Sequence, residues 1–263
     1  MIDVSQIKWR RNIMFRKNKL AMLVGEFLGT MLLTMVVLGA LRSQAGTYFV
    51  GLAAGAIVAA MTLALAGISG AVLNPAITIA LWSVRKLRAL QALSYIIVQF
   101  AGGVAAWYLF VYITKLDTSA IQHSSTTELA ARPLIAEALG TFIFAFAMAA
   151  AIYQKFRLST KAFTIGIGLA LGALVASLAS AAFLNPAVAF SLQQWNIWTY
   201  MVGPVLGAVL GMNLYNLLFV ETEVAEVAEA KAEVVEARVA AKAPVKKAAA
   251  KKPAAKKKTV AKK

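Results

Sequence analysis

Residues 162–220 contain no Asp, Glu, Lys or Arg, a run of 59 positions, and residues 43–84 form a second such run of 42. Uncharged runs of this length do not suit the surface of a soluble domain. About 20 apolar residues already span the hydrocarbon core of a bilayer as one helix. A backbone crossing that core must pair its own polar groups, which leaves helices or closed barrels. With 60% hydrophobic residues in the chain, the expectation is an all-α membrane protein.

Three more runs give one span each: Leu20–Leu41, with Glu26 as its only charge, Ala89–Thr114, and Pro133–Gln154, which encloses Glu137. The two long runs are ambiguous in length, and the basic residues resolve them. Lys8, Arg10, Arg11, Arg16, Lys17 and Lys19 precede the first span, which sets that end on the cytoplasmic side. Arg85, Lys86 and Arg88 belong on the same side, with Lys155, Arg157 and Lys161. One parity satisfies all of these clusters. Run 43–84 holds one full span, about Tyr48–Ala66, and a segment that enters and returns on one side. Run 162–220 holds two, about Ala162–Ala179 and Trp198–Val220, with a second re-entrant piece between them. Six spans and two half-crossings result. Irregular backbone at membrane depth requires protein or a water-filled cavity around it, so the half-crossings point to a polar path.

"GEFLGTMLLT" (25–34) resembles "AEALGTFIFA" (136–145), and Glu26 lies 111 residues before Glu137. The same offset of 111 relates Asn74 to Asn185, Pro75 to Pro186, Leu73 to Leu184 and Gly55 to Gly166. One offset through so many matched residues marks an internal duplication. Each half carries three spans, an odd number, so the halves are inverted relative to one another. Such repeats set discontinuous helices face to face near the midplane. Asn is a good N-cap, and Pro at the first helical position loses no hydrogen bond. Asn74–Pro75 and Asn185–Pro186 therefore mark helix starts, with short helices expected over 75–84 and 186–193.

The motifs "SGAVLNPA" (69–76) and "FLNPA" (183–187), the two Glu-x-Leu-Gly-Thr stretches and "VGPVLGA" (202–208) resemble those of the aquaporin, or major intrinsic protein, family. The resemblance covers about residues 20–220. It implies six transmembrane helices with two re-entrant half-helices, in inverted three-helix repeats. It also implies a homotetramer with one pore per subunit, and passive passage of water or small uncharged solutes. Asn74, Pro75 and Ala76 match the first pore motif; Asn185, Pro186 and Ala187 match the second. The two asparagine amides are then expected to donate to passing water, with carbonyls of 67–73 and 178–184 as acceptors. Two helix N-termini, each carrying partial positive charge, would repel cations and protons.

The family usually places Arg after the second motif; this chain has Val188. Counted from the motifs, the remaining outer-filter positions of the family fall on Ala54, Ala173 and Ala182. Where glycerol-type members carry Asp, the chain has Ala189. An outer filter without a guanidinium loses a fixed cation and several donors. Two outcomes stay open: a broad channel for small solutes, or an apolar collar that conducts poorly by dewetting.

Glu26 and Glu137 sit inside spans, where a charge costs several kcal/mol. They act either as a proton relay or as buried structural acids that accept from the N–H groups of the re-entrant loops; the resemblance favours the second. His123 is the sole histidine, expected on a solvated extracellular loop at 115–130. Trp82, Trp107, Trp195 and Trp198 suit interfacial anchoring, and Gly207-x-x-x-Gly211 suits close helix packing. The chain has no cysteine, and no histidine with a carboxylate partner or phosphate-binding glycine loop stands out. Neither catalysis, a metal nor a cofactor is expected.

The channel repeats are expected over 20–114 and 131–220, after a basic cytoplasmic segment at 1–19 that carries no removable signal sequence. Beyond Val220 the composition changes. Residues 221–236 hold six Glu and one Lys, and residues 237–263 hold eleven basic residues and no acid. This cytoplasmic tail lacks the apolar bulk to fold alone and is expected to be disordered. Two readings rank equally, a tail that is solvated or folds back on the Glu segment and one that binds anionic lipid; nucleic acid ranks third. The expected location is the plasma membrane, multi-pass, with both termini cytoplasmic. The alternative function is a membrane anchor that presents the basic tail above a vestigial pore.

Overall fold

The computed structural model describes residues 4–44, 46–116 and 128–220, with side chains from Asn18 onward. The tail 221–263, His123 and most of the 115–130 loop lie outside the described residues, as do the side chains of the basic N-terminal segment up to Lys17. Among the described residues the regular elements are helices: α1 (Val4–Arg42), α2 (Thr47–Leu65), α3 (Pro75–Ser83), α4 (Ala89–Thr114), α5 (Ala131–Tyr153), α6 (Leu158–Ala176), α7 (Pro186–Ser191) and α8 (Gly203–Phe219). Among the described residues, six helices are long and apolar enough to cross a membrane, the first from Asn18 and the last from Trp198. With nine and six residues, α3 and α7 are too short, since the rise is about 1.5 Å per residue.

Local chemistry sets the ends of the short helices. Asn74 (φ −152°, ψ 120°) and Asn185 (φ −143°, ψ 109°) are extended, and Pro follows each as the first helical residue. Both helices stop sooner than the sequence suggests, at Ser83 rather than 84 and at Ser191 rather than 193. Left-handed Arg85 (φ 60°) and Gln193 (φ 62°) turn the chain away. The N–H groups of Lys86 and Gln194 then close back on the carbonyls of Leu81 and Ala189, at 2.8 and 3.0 Å. Helix α6 begins at Leu158 rather than 162 and ends at Ala176 rather than 179. The last span opens with a π-helical turn, Trp198–Val202, before Gly203–Pro204. Pro204 has no N–H to continue a regular ladder.

Helix α5 packs along α6 and α8, α2 along α6, and α1 along α4. Glycines permit these close approaches. Gly55 on α2 and Gly166 on α6, mates at the offset of 111, lie so close that a Cβ on either would meet the carbonyl of the other. Small residues at such crossings let backbones touch where lipid offers no hydrophobic drive.

Both re-entrant segments return to the side they left. At the end of α3, Ser83 Oγ accepts from Asn213 Nδ2 of α8 at 2.7 Å. Lys86 Nζ lies 4.6 Å over the ring of Tyr153, at the end of α5. Past α7, Asn196 Nδ2 donates to the Glu128 carbonyl just before α5, at 3.2 Å. So α3 exits where α5 and α8 end, and α7 exits where α5 begins.

Candidate pore

Two loops without regular structure carry the chain to the Asn-Pro steps. Each contains non-glycine residues in the left-handed region: Ala71 (φ 52°) and Leu73 (φ 53°) in one, Ala182 (φ 57°) and Leu184 (φ 53°) in the other. The conformation costs roughly 1–2 kcal/mol per residue. Buried carboxylates hold it in place. Glu26 accepts from the N–H groups of Val72 (3.0 Å) and Leu73 (2.7 Å) and from Gln99 Nε2 (2.8 Å). Glu137 accepts from the N–H groups of Phe183 (3.1 Å) and Leu184 (2.8 Å) and from Ser180 Oγ (2.8 Å). Both acids are 0% exposed.

Each asparagine does two jobs. Asn74 Oδ1 caps α3, accepting from the N–H groups of Ala76 (2.8 Å) and Ile77 (3.5 Å). Asn185 Oδ1 caps α7, accepting from those of Ala187 (3.0 Å) and Val188 (3.4 Å). The amide nitrogens cross over. Asn74 Nδ2 donates to the Leu184 carbonyl and Asn185 Nδ2 to the Leu73 carbonyl, both at 2.8 Å. An amide NH₂ has two hydrogens, so the crossing bond leaves one on each residue. Ala76 and Ala187 are fully buried, and they sit behind Pro75 and Pro186 in the first turns of the two helices.

Asn74 and Asn185 line one cavity together with Ala54, Ala173, Ala182 and Val188. Apart from the two asparagines, every side chain on its wall is apolar. The wall also includes Leu33, Val58, Phe144 and Leu169, which sequence reasoning did not single out, because nothing in an apolar helix residue says that it faces a cavity. Not all the expected acceptor carbonyls are free. That of Ser69 accepts from the Tyr95 hydroxyl at 2.8 Å, and those of Leu73 and Leu184 take the crossing amides. Replacing Asn185 by Ala removes a cap and a crossing donor at once. A loss of about 1–2 kcal/mol is expected, read as a lower thermal midpoint in detergent.

Inverted three-helix repeats, meeting through capped half-helices beside a cavity, define a membrane channel architecture. The sequence profile of the family described as Major intrinsic protein matches residues 14–215. Aquaporin Z of Photorhabdus laumondii is 32% identical over 227 residues, covering 76% of this chain and 98% of that protein. Aquaporin AqpM of Methanothermobacter marburgensis is 31% identical over 189 residues, 64% of this chain and 76% of that protein. In fold, the chain resembles the aquaglyceroporin from Plasmodium falciparum, with a TM-score of 0.64 at 21% identity, covering 76% of this chain and 96% of that one. The chain belongs to the major intrinsic protein family. It is a multi-pass membrane channel and not an enzyme.

Proposed function

We propose that the chain conducts water and small uncharged solutes passively, through one pore in each subunit of a homotetramer. The observation carrying this reading is the pair of crossed asparagine amides, each with a spare hydrogen, beside a cavity otherwise lined by apolar side chains. A solute at that point meets two donors, with backbone carbonyls as acceptors on either side. Capped helix N-termini add partial positive charge, which disfavours cations and protons. Ala54, Ala173, Ala182 and Val188 form an outer filter without a cation. Glu26 and Glu137 are structural acceptors in this reading, because their oxygens are occupied by loop donors. The termini lie in the cytoplasm of a plasma-membrane protein, and the Lys-rich tail meets anionic lipid headgroups there.

Proteoliposomes under an osmotic step test the proposal. Light scattering should relax several-fold faster than for empty liposomes, with full-length protein and a 1–220 truncation alike. Rates equal to empty liposomes for both would leave the anchor reading in its place. Val188→Arg adds a guanidinium at the outer filter and should lower urea and glycerol uptake while water flux persists.

A further inference from the structure

The offset of 111 holds in space as well as in sequence. A Cβ on Gly55 would meet the Gly166 carbonyl, and one on Gly166 would meet the Gly55 carbonyl. The crossing bonds of Asn74 and Asn185 and the loop bonds of Glu26 and Glu137 obey the same pairing. Helices α2 and α6 are therefore in matched register, inverted with respect to one another. Val50 is the fourth residue of α2 and lies on the cavity wall. Its mate, also the fourth residue of its helix, is Lys161 of α6. As Val50 stands toward the outer mouth of the path, so Lys161 stands toward the cytoplasmic one.

Helix stability does not explain a lysine at that place, since a cation in the first turn opposes the helix dipole. Lys155 and Arg157, close by in the chain, are exposed, whereas Lys161 is half-buried. Among the described residues no ion pair holds Lys161. The acids there are Glu26 and Glu137, which accept from the loops, and Glu128, at the opposite end. The inner half of the path also has the larger side chains. Ala54, Ala173 and Val188 on the outer wall have Ile165, Thr62 and Ile77 as mates, so the same frame leaves less room on the inner side. Little water screens a charge beside a narrow apolar passage, and the low-dielectric wall focuses its field along the path.

We infer, resting on the channel reading above, that Lys161 is the charge-selecting residue of this chain: a fixed cation at the cytoplasmic mouth, in place of the one that Val188 leaves out of the outer filter. A cation crossing in either direction must pass the Lys161 ammonium without a carboxylate beside it to offset the repulsion. A neutral solute of the same size meets no such barrier, and its dipole can turn to suit the charge.

Guanidinium and urea are both planar and of similar size, and only the first is charged, so the pair separates charge from size. The test is guanidinium uptake by proteoliposomes of the full-length protein, referred to urea uptake by the same preparation. Lys161→Gln should raise guanidinium uptake several-fold over wild type, Lys161→Glu should raise it further, and Lys161→Arg should keep it at the wild-type level. Lys155→Gln removes the same charge from an exposed position and should change nothing. The inference is overturned if neither Lys161→Gln nor Lys161→Glu admits more guanidinium than wild type, or if Lys155→Gln admits as much as Lys161→Gln. A wild-type protein with no water flux above empty liposomes overturns the channel reading itself, which separates the two failures.

Discussion

Glu137→Ala should lower the stability of the detergent-solubilised protein by about 3–6 kcal/mol, because two backbone N–H groups and a hydroxyl lose their acceptor and buried orphan donors cost about 1–3 kcal/mol each. The donors are Phe183, Leu184 and Ser180. The loss has a second component. Ala182 and Leu184 hold left-handed conformations, and the bonds that remain, from the Ala182 N–H to Ser180 Oγ and from Asn74 Nδ2 to the Leu184 carbonyl, do not replace the lost acceptor, so the loop should relax and carry Asn185 away from Leu73. Thermal unfolding and water flux should therefore fall together. Glu137→Gln retains one carbonyl acceptor and should fall between wild type and Glu137→Ala in both measurements. Glu26→Ala should behave likewise, since Val72, Leu73 and Gln99 donate to it. An unchanged midpoint with altered proton permeability would support a relay instead.

Gly207→Leu should be worse tolerated than substitution at any exposed glycine. A Cβ at Gly207 would meet the Ala138 backbone carbonyl of α5, and one at Gly211 would meet that of Phe142. Backbone cannot rotate out of the way, so α8 and α5 must separate. Overpacking typically costs about 1–3 kcal/mol and more where nothing yields. The expected result is loss of the monodisperse protein, with Gly207→Ala already lowering the midpoint. Gly39 is the control, because nothing lies within 4 Å of a Cβ built there. Gly39→Ala should be neutral or slightly stabilising, by up to about 1 kcal/mol. Similar midpoints for Gly39→Ala and Gly207→Ala would mean that the α5–α8 contact is looser than described.

The half-helices were legible because Asn-Pro states its own conformation: the Asn side chain caps, and the Pro ring supplies a helical φ. Charge parity gave the number of spans, and the offset of 111 gave their inversion. What escaped was mostly long-range. Nothing local in Leu73 signals a left-handed backbone, since leucine avoids it unless something outside the segment enforces it. That enforcement comes from Glu26, 47 residues earlier in the chain. The crossing of Asn74 to Leu184 likewise joins residues 110 apart. Ala54, Ala173, Ala182 and Val188 were found by counting from the motifs, whereas Leu33 and Phe144 are ordinary apolar helix residues until the fold turns them to the cavity. The π-helical turn at Trp198–Val202 has only Pro204 as a hint, and proline alone does not distinguish a π turn from a kink.

The crossing amides carry a consequence for biogenesis. During synthesis the first three spans emerge before the second Asn-Pro-Ala exists, so Asn74 then lacks its acceptor at Leu184 and the Leu73 carbonyl lacks its donor. The first half enters the lipid with its centre unfinished, and only the arrival of residues 184 and 185 completes it. The two crossing bonds therefore belong to neither half alone and can form only once both halves are present.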